Sequence, residues 1–299
     1  MRERDTFAGF HPFINLLFFV AAIGFAMFFT HPVCLGVSLF WATTYSIYIN
    51  GRKAIRFNLI YMLPMLLMAA LLNPAFNHQG GTILSYLPDG NPLTLESILY
   101  GIAAAVMLIT VISWFSCFNA VMTSDKFVYL FGRVIPALSL ILSMALRLVP
   151  RFKSQIKVIS NAQKCIGRDA SDGGVLKKIK HGVKILSILV TWALENAIET
   201  ADSMKGRGYG LPGRTAFSIF RFDKRDLFAL VYLLSCSAII IAGAATGAYY
   251  FRYFPTVKGD WTGATFFVFT AYFALAAFPM ICNIKEDILW KQIKYLVNE

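Results

Sequence analysis

The sequence predicts an all-α polytopic membrane protein with about six transmembrane helices and one basic module on the cytoplasmic side. Three observations lead there. Of its 299 residues, 57% are hydrophobic, only 15% are charged and 27 are Phe, more apolar surface than a soluble core of this size can hide. Six apolar runs, near 13–30, 32–49, 57–72, 97–122, 227–251 and 261–284, have no Asp, Glu, Lys or Arg in their interiors. Finally, 16 of the 28 Lys and Arg residues lie between Arg147 and Arg225.

Each run is close to the ~20 residues that cross a bilayer as a helix. His31-Pro32 separates the first two, because proline disfavours helix at the preceding residue. Arg2 and Arg4 before an apolar run imitate a signal peptide, but Ala26-Met27-Phe28-Phe29-Thr30 lacks a small-x-small cleavage pattern, so this run reads as a retained span. Residues 50–56 read as a short basic loop. The Pro-, Gly- and Asn-rich stretch 73–96 holds no Lys or Arg and reads as an ordered external loop. In the run 227–251, Gly243-x-x-x-Gly247 suggests close helix packing.

A seventh run, 127–150, contains Arg133, Pro136, Arg147 and Pro150. Charge decides how it is read. If it does not cross, 26 of the 28 Lys and Arg fall inside and only Arg252 and Lys258 outside, whereas crossing destroys that bias. An arginine at a helix centre also costs about 2.5–3.5 kcal/mol on insertion scales. The run is therefore expected to be a tilted, re-entrant or membrane-surface helix. Three segments result: 1–126, N-terminal transmembrane helices; 127–225, the membrane-surface helix with a cytoplasmic module; and 226–299, C-terminal transmembrane helices. Both termini are expected inside.

Within the module, Phe152, Ile156, Ile159 and Ile166 alternate with lysines, an amphipathic helix over 151–166 capped by Gly167. A second helix is expected from about Lys178 to Lys205, with Ala193, Ala197 and Ala201 on one face. Both helices run into glycine and arginine: Cys165-Ile166-Gly167-Arg168 and Gly206-Arg207-Gly208. Such ends are either ordinary terminations or paired docking points.

Several chemistries lack their residues. The net charge of +12 follows from the inside bias, and no nucleic-acid reader motif accompanies it. The five cysteines lack Cys-x-x-Cys spacing, so no metal or disulfide framework is expected. Gly208 to Thr215 imitates a phosphate-binding loop with Arg214 in the lysine position, but a helix precedes it and Pro212 removes a donor. No cofactor is expected. Uncharged spans argue against an ion-coupled carrier. A membrane enzyme acting on a lipid substrate is the main alternative, and would have to draw on Asp169, Asp172, Glu195, Glu199 and Asp202.

Met144-Ala145-Leu146-Arg147-Leu148-Val149-Pro150, Ala162-Gln163-Lys164 and Arg207-Gly208-Tyr209 resemble the transmembrane T component (EcfT, related to CbiQ) of energy-coupling factor transporters. These are ABC-type importers of vitamins and transition-metal ions. The resemblance implies a non-enzymatic scaffold in the cell membrane that joins two cytoplasmic ABC ATPase subunits to a substrate-binding membrane S component. Its signature is two Ala-Arg-Gly motifs on cytoplasmic coupling helices. Gly206, Arg207 and Gly208 match the second motif. In the first, Ile166 stands where arginine is expected, and Gly167 and Arg168 follow. The run 127–150, with Arg133, Pro136, Arg147 and Pro150, is the expected platform for the S component.

Overall fold

The computed structural model describes residues 5–86, 91–134, 136–168, 174–209, 211, 220–247, 249–259 and 263–297; the side chains of 133–140, 291 and 294–297 are not among those described. The chain divides into two compact units, Met1–Thr123 with Phe220–Glu299, and Ser124–Ile219.

The first unit is a helical bundle. After a 3-10 turn, Phe7–Gly9, α1 spans Pro12–Phe28 and α2 Pro32–Asn50. Both begin alike: a histidine sits in extended backbone, proline follows, and the imidazole Nδ1 accepts the next N–H (Phe13 to His11, 3.3 Å; Val33 to His31, 3.2 Å). Proline suits the first helical position because its missing N–H has no intrahelical partner there. The chain then turns at Gly51 into α3, Arg52–Phe57, a π segment, Asn58–Met62, and α4, Leu63–Phe76. Residues 50–56 are therefore not a loop. No Gly or Pro follows Gly51 before Pro64, so Arg52, Lys53 and Arg56 occupy the first turns of the third span. Pro64 cannot donate to the turn before it, and the wider π turn accommodates that gap.

The next helices of this unit are α5, Leu95–Val121, and, after the second unit, α9, Lys224–Ala245, and α10, Gly263–Val297 (α6 to α8 belong to the second unit, below). Among the described residues, five stretches are long and apolar enough to cross a membrane: α2, 52–76, α5, α9 and 263–290 of α10. With the 17-residue apolar α1, they account for the six expected spans. Phe7, Phe18, Phe19, Tyr45, Trp114 and Leu275 form the core, where Trp114 donates its indole N–H to Ser38 at 2.9 Å.

The α4–α5 seam depends on Gly101. A Cβ there would lie 2.7 Å from the Ala70 carbonyl oxygen and 3.1 Å from Asn73 Cβ. Backbone cannot yield as a side-chain tip can, so Gly101→Val should cost about 1–3 kcal/mol by overpacking, read as a lower thermal midpoint in detergent. Gly243 is equally tight, its Cβ position lying 2.6 Å from a Val268 methyl. Gly247, in contrast, sits past the end of α9 with φ +75°, so the pair at 243 and 247 is one packing residue and one turn residue.

The stretch 73–96 is ordered where described. Strand β1, Ile83–Tyr86, pairs antiparallel with β2, Pro92–Thr94, and the buried Glu96 carboxylate accepts the Thr82 N–H at 3.2 Å and its hydroxyl at 2.8 Å. A second hairpin, β3 Phe251–Arg252 with β4 Lys258–Gly259, joins it through Gly81 N–H to the Pro255 carbonyl at 2.8 Å. His31 is buried beneath it against Phe251 and Phe269, and desolvation lowers its pKa. The unfolded chain then binds the extra proton first, so stability should fall as pH drops below about 6.5. His31→Asn keeps an acceptor for Val33 and should remove that part of the pH slope in thermal melts.

The second unit contains α6, Ser124–Val134, α7, Pro136–Cys165, and α8, Val175–Gly206. The expected boundary at Pro150 is absent: α7 continues through it. One interior proline removes one hydrogen bond, and packing beyond it sustains the helix. Ile159 meets Ile185 and Leu189, while Phe152 and Arg151 meet the Trp192 ring at 5.9 and 5.6 Å. The contacts advance along α7 as they retreat along α8, so the two helices run antiparallel.

Candidate functional site

The two module helices end in the same way. At the end of α7, Gly167 has φ +74°, its N–H donates to the Lys164 carbonyl at 3.0 Å, and the Arg168 N–H reaches back to Gln163 at 2.9 Å. At the end of α8, Gly208 has φ +70°, its N–H donates to Lys205 at 2.9 Å, and Tyr209 reaches back to Met204 at 3.0 Å. Both are Schellman closures, in which the left-handed residue turns the chain back onto the orphan carbonyls and glycine avoids a Cβ clash. Lys164 and Lys205 lie in the last turns, where cations complement the helix dipole.

This geometry puts the two ends in register. Gly167 matches Gly208, so Ile166 occupies the position of Arg207, and Arg168 that of Tyr209. Arg207 is the last residue before the chain reverses (φ −88°, ψ 11°), and both arginines are exposed. Arg168 leaves the backbone one residue beyond the left-handed glycine. Gly206, Arg207 and Gly208 therefore form one tip, and Gly167 with Arg168 form another of different chemistry. Because α7 and α8 are antiparallel, the tips lie at opposite ends of α8, whose 32 residues span roughly 48 Å at 1.5 Å per residue.

The other predicted residues are spread more widely. Arg133 lies near the end of α6 and Pro136 opens α7; their side chains fall outside the described residues. Arg147 and Pro150 are exposed on α7, three residues apart, hence on one face. α7 is not among the helices long and apolar enough to cross a membrane. Glu195, Glu199 and Asp202 form an exposed acidic row on α8, while Asp169, Asp172 and 212–215 lie outside the described residues. Among the described residues, no three His, Cys, Asp or Glu side chains gather to hold a metal ion.

One feature was missed from sequence. Ile179, Val183, Leu186, Val190, Leu194 and Ile198 are all exposed on α8, recurring every three or four residues on the side away from Ile185 and Leu189. The spacing was available in the sequence, where Ala193, Ala197 and Ala201 lie on the same side of the helix as this row.

A family model described as cobalt transport protein, CbiQ, matches residues 10–217, which takes in both tips and the helices that carry them. The chain belongs to the CbiQ family. Curated relatives of this CbiQ-family protein include the energy-coupling factor transporter transmembrane protein EcfT of Lactobacillus helveticus, 36% identical over 105 residues, 35% of this chain and 38% of that protein. The EcfT of Lactococcus lactis subsp. cremoris is 35% identical over 105 residues, covering 35% and 40% of the two chains. The EcfT of Streptococcus thermophilus is 28% identical over 189 residues, covering 60% and 71%. The matches to the first two thus span about two fifths of those proteins' own length.

Proposed function

We propose that this chain is the T component of an energy-coupling factor importer. It couples ATP hydrolysis by two cytoplasmic ATPase subunits to a substrate-binding membrane S component for vitamin or metal-ion uptake, and performs no chemistry of its own. The observation that carries the reading is the pair of matched helix ends held at opposite ends of α8. Two tips on one rigid spacer suit two docking grooves, and Arg207 can offer bidentate, charge-assisted hydrogen bonds to carboxylates or carbonyls in such a groove. Family membership and the names of the EcfT relatives support it.

In this reading 151–225 and both termini are cytoplasmic, 73–96 is external, and the platform comprises 127–150, with Arg133, Pro136, Arg147 and Pro150, extended by the apolar row of α8. A membrane partner would cover that row, which water alone does not. Affinity purification from native membranes is the test: co-purification of two ATP-hydrolysing subunits and a small membrane protein is expected. A lone polypeptide active on a lipid would overturn the reading. A cysteine placed at Ser171 should react with an impermeant reagent only from the cytoplasmic side; labelling of intact cells would reverse the orientation.

A further inference from the structure

A cavity lies in the first unit, where the N-terminal segment meets α9 and α10. It holds about 500 Å³ and is lined by Phe10, Arg225, Phe228, Val231, Tyr232 and Phe278 among others, with Arg225 the single charged lining residue. It opens outward: Phe228 and Val231 are 78% and 59% exposed, on a helix apolar enough to span the membrane.

Arg225 is held at the rim of this cleft. Its guanidinium lies 4.3 Å from the Phe10 ring centroid and donates Nη2–H to the Gly9 carbonyl at 3.1 Å. That bond uses one of five donors. The adjacent carboxylate, Asp226, is committed to the backbone, accepting from His11 N–H at 3.2 Å and Asp223 N–H at 3.0 Å. Asp223 in turn caps the first turn of α9. Arg221 and Lys224, both exposed, add positive charge beside Arg225. One end of the cleft thus presents the Arg225 cation and the remainder hydrocarbon and aromatic rings.

We infer that this cleft binds one anionic phospholipid, with its phosphate at Arg225 and an acyl chain along Phe228, Val231, Tyr232 and Phe278. A small soluble anion would leave the apolar wall uncovered. A zwitterionic lipid would fill the wall but gain less from the cations. An anionic amphiphile matches both, as basic pockets beside membrane helices do for acidic head groups.

The test uses the full-length chain, purified in detergent, and native mass spectrometry of retained lipid, with phosphatidylglycerol and phosphatidylcholine of identical acyl chains as probes. One phosphatidylglycerol should be retained, with a preference over phosphatidylcholine of about fivefold, one surface cation's worth. Arg225→Gln should abolish the preference, and Val231→Trp, which fills the cleft and leaves Arg225 in place, should lower retention. Equal retention of the two lipids overturns the proposal. So does undiminished retention of phosphatidylglycerol by Val231→Trp, or by Arg225→Gln with unchanged helical circular dichroism. Displacement of the lipid by millimolar inorganic phosphate would make this a simple anion site and also defeat it.

Discussion

Arg207→Glu is expected to leave the chain folded and in the membrane but to deprive it of the ATPase subunits proposed above. The side chain is exposed beyond the last turn of α8, and the Gly208 closure, made by backbone, stays intact. Arg207→Ala removes a charged hydrogen bond worth about 1.5–3 kcal/mol, a loss of roughly tenfold or more in association. Glutamate does more harm, because it puts a like charge against the acceptors the arginine served. Arg207→Lys keeps the charge without the planar fork and should recover part of the association. Arg168→Ala should have a smaller effect, since Arg168 aligns with Tyr209 rather than Arg207. Uptake and ATPase co-purification measure each case. Parental transport by Arg207→Glu would refute the coupling role.

The paired substitution Leu186→Glu with Val190→Glu should give the complementary defect, with ATPases retained and the membrane partner lost. Both side chains are exposed, while Ile185 and Leu189, on the other side, hold α8 to α7. The substitution therefore spares the hairpin. Burying two carboxylates in an apolar interface costs several kcal/mol unless they are paired, enough to lower partner occupancy by more than a hundredfold. The readout is recovery of the S component in the same purification that scores the ATPases. Retention of that subunit at parental level would remove α8 from the platform.

Spans were legible because lipid imposes a simple rule: a run without charge and long enough to cross is a helix, as 97–122 and 227–251 became α5 and α9. Local continuity was not. Arg52 to Arg56 looked like loop by charge, yet nothing after Gly51 breaks the helix. Pro150 looked like a boundary, yet α7 passes through it, because the packing of Phe152 and Ile159 on α8 is a tertiary effect that proline rules do not contain. Within the module, Gly167 and Gly208 announced two helix ends. That Ile166 and Arg207 are equivalent positions was already implied by the Ala-Arg-Gly signature, and the matching bond patterns at the two helix ends agree with it. The cleft beside Arg225 brings Phe10 to Phe278 across the whole chain, and no local pattern marks it.

The antiparallel hairpin has a consequence for how this chain can vary. If both tips must engage at once, the length of α8 becomes a gauge block cut to the separation of two sites on other molecules. Adding one residue would lengthen it by about 1.5 Å and turn everything beyond by about 100°, rotating Arg207 away from its groove and splitting the apolar row. Insertions of seven or eleven residues nearly restore the facing, each drifting about 20° while adding about 10 or 16 Å. Insertions between strands β1 and β2 meet no such constraint. Length polymorphism among close variants of this chain should therefore gather in its loops and spare the 32 residues of α8, unless the sites it bridges move apart in step.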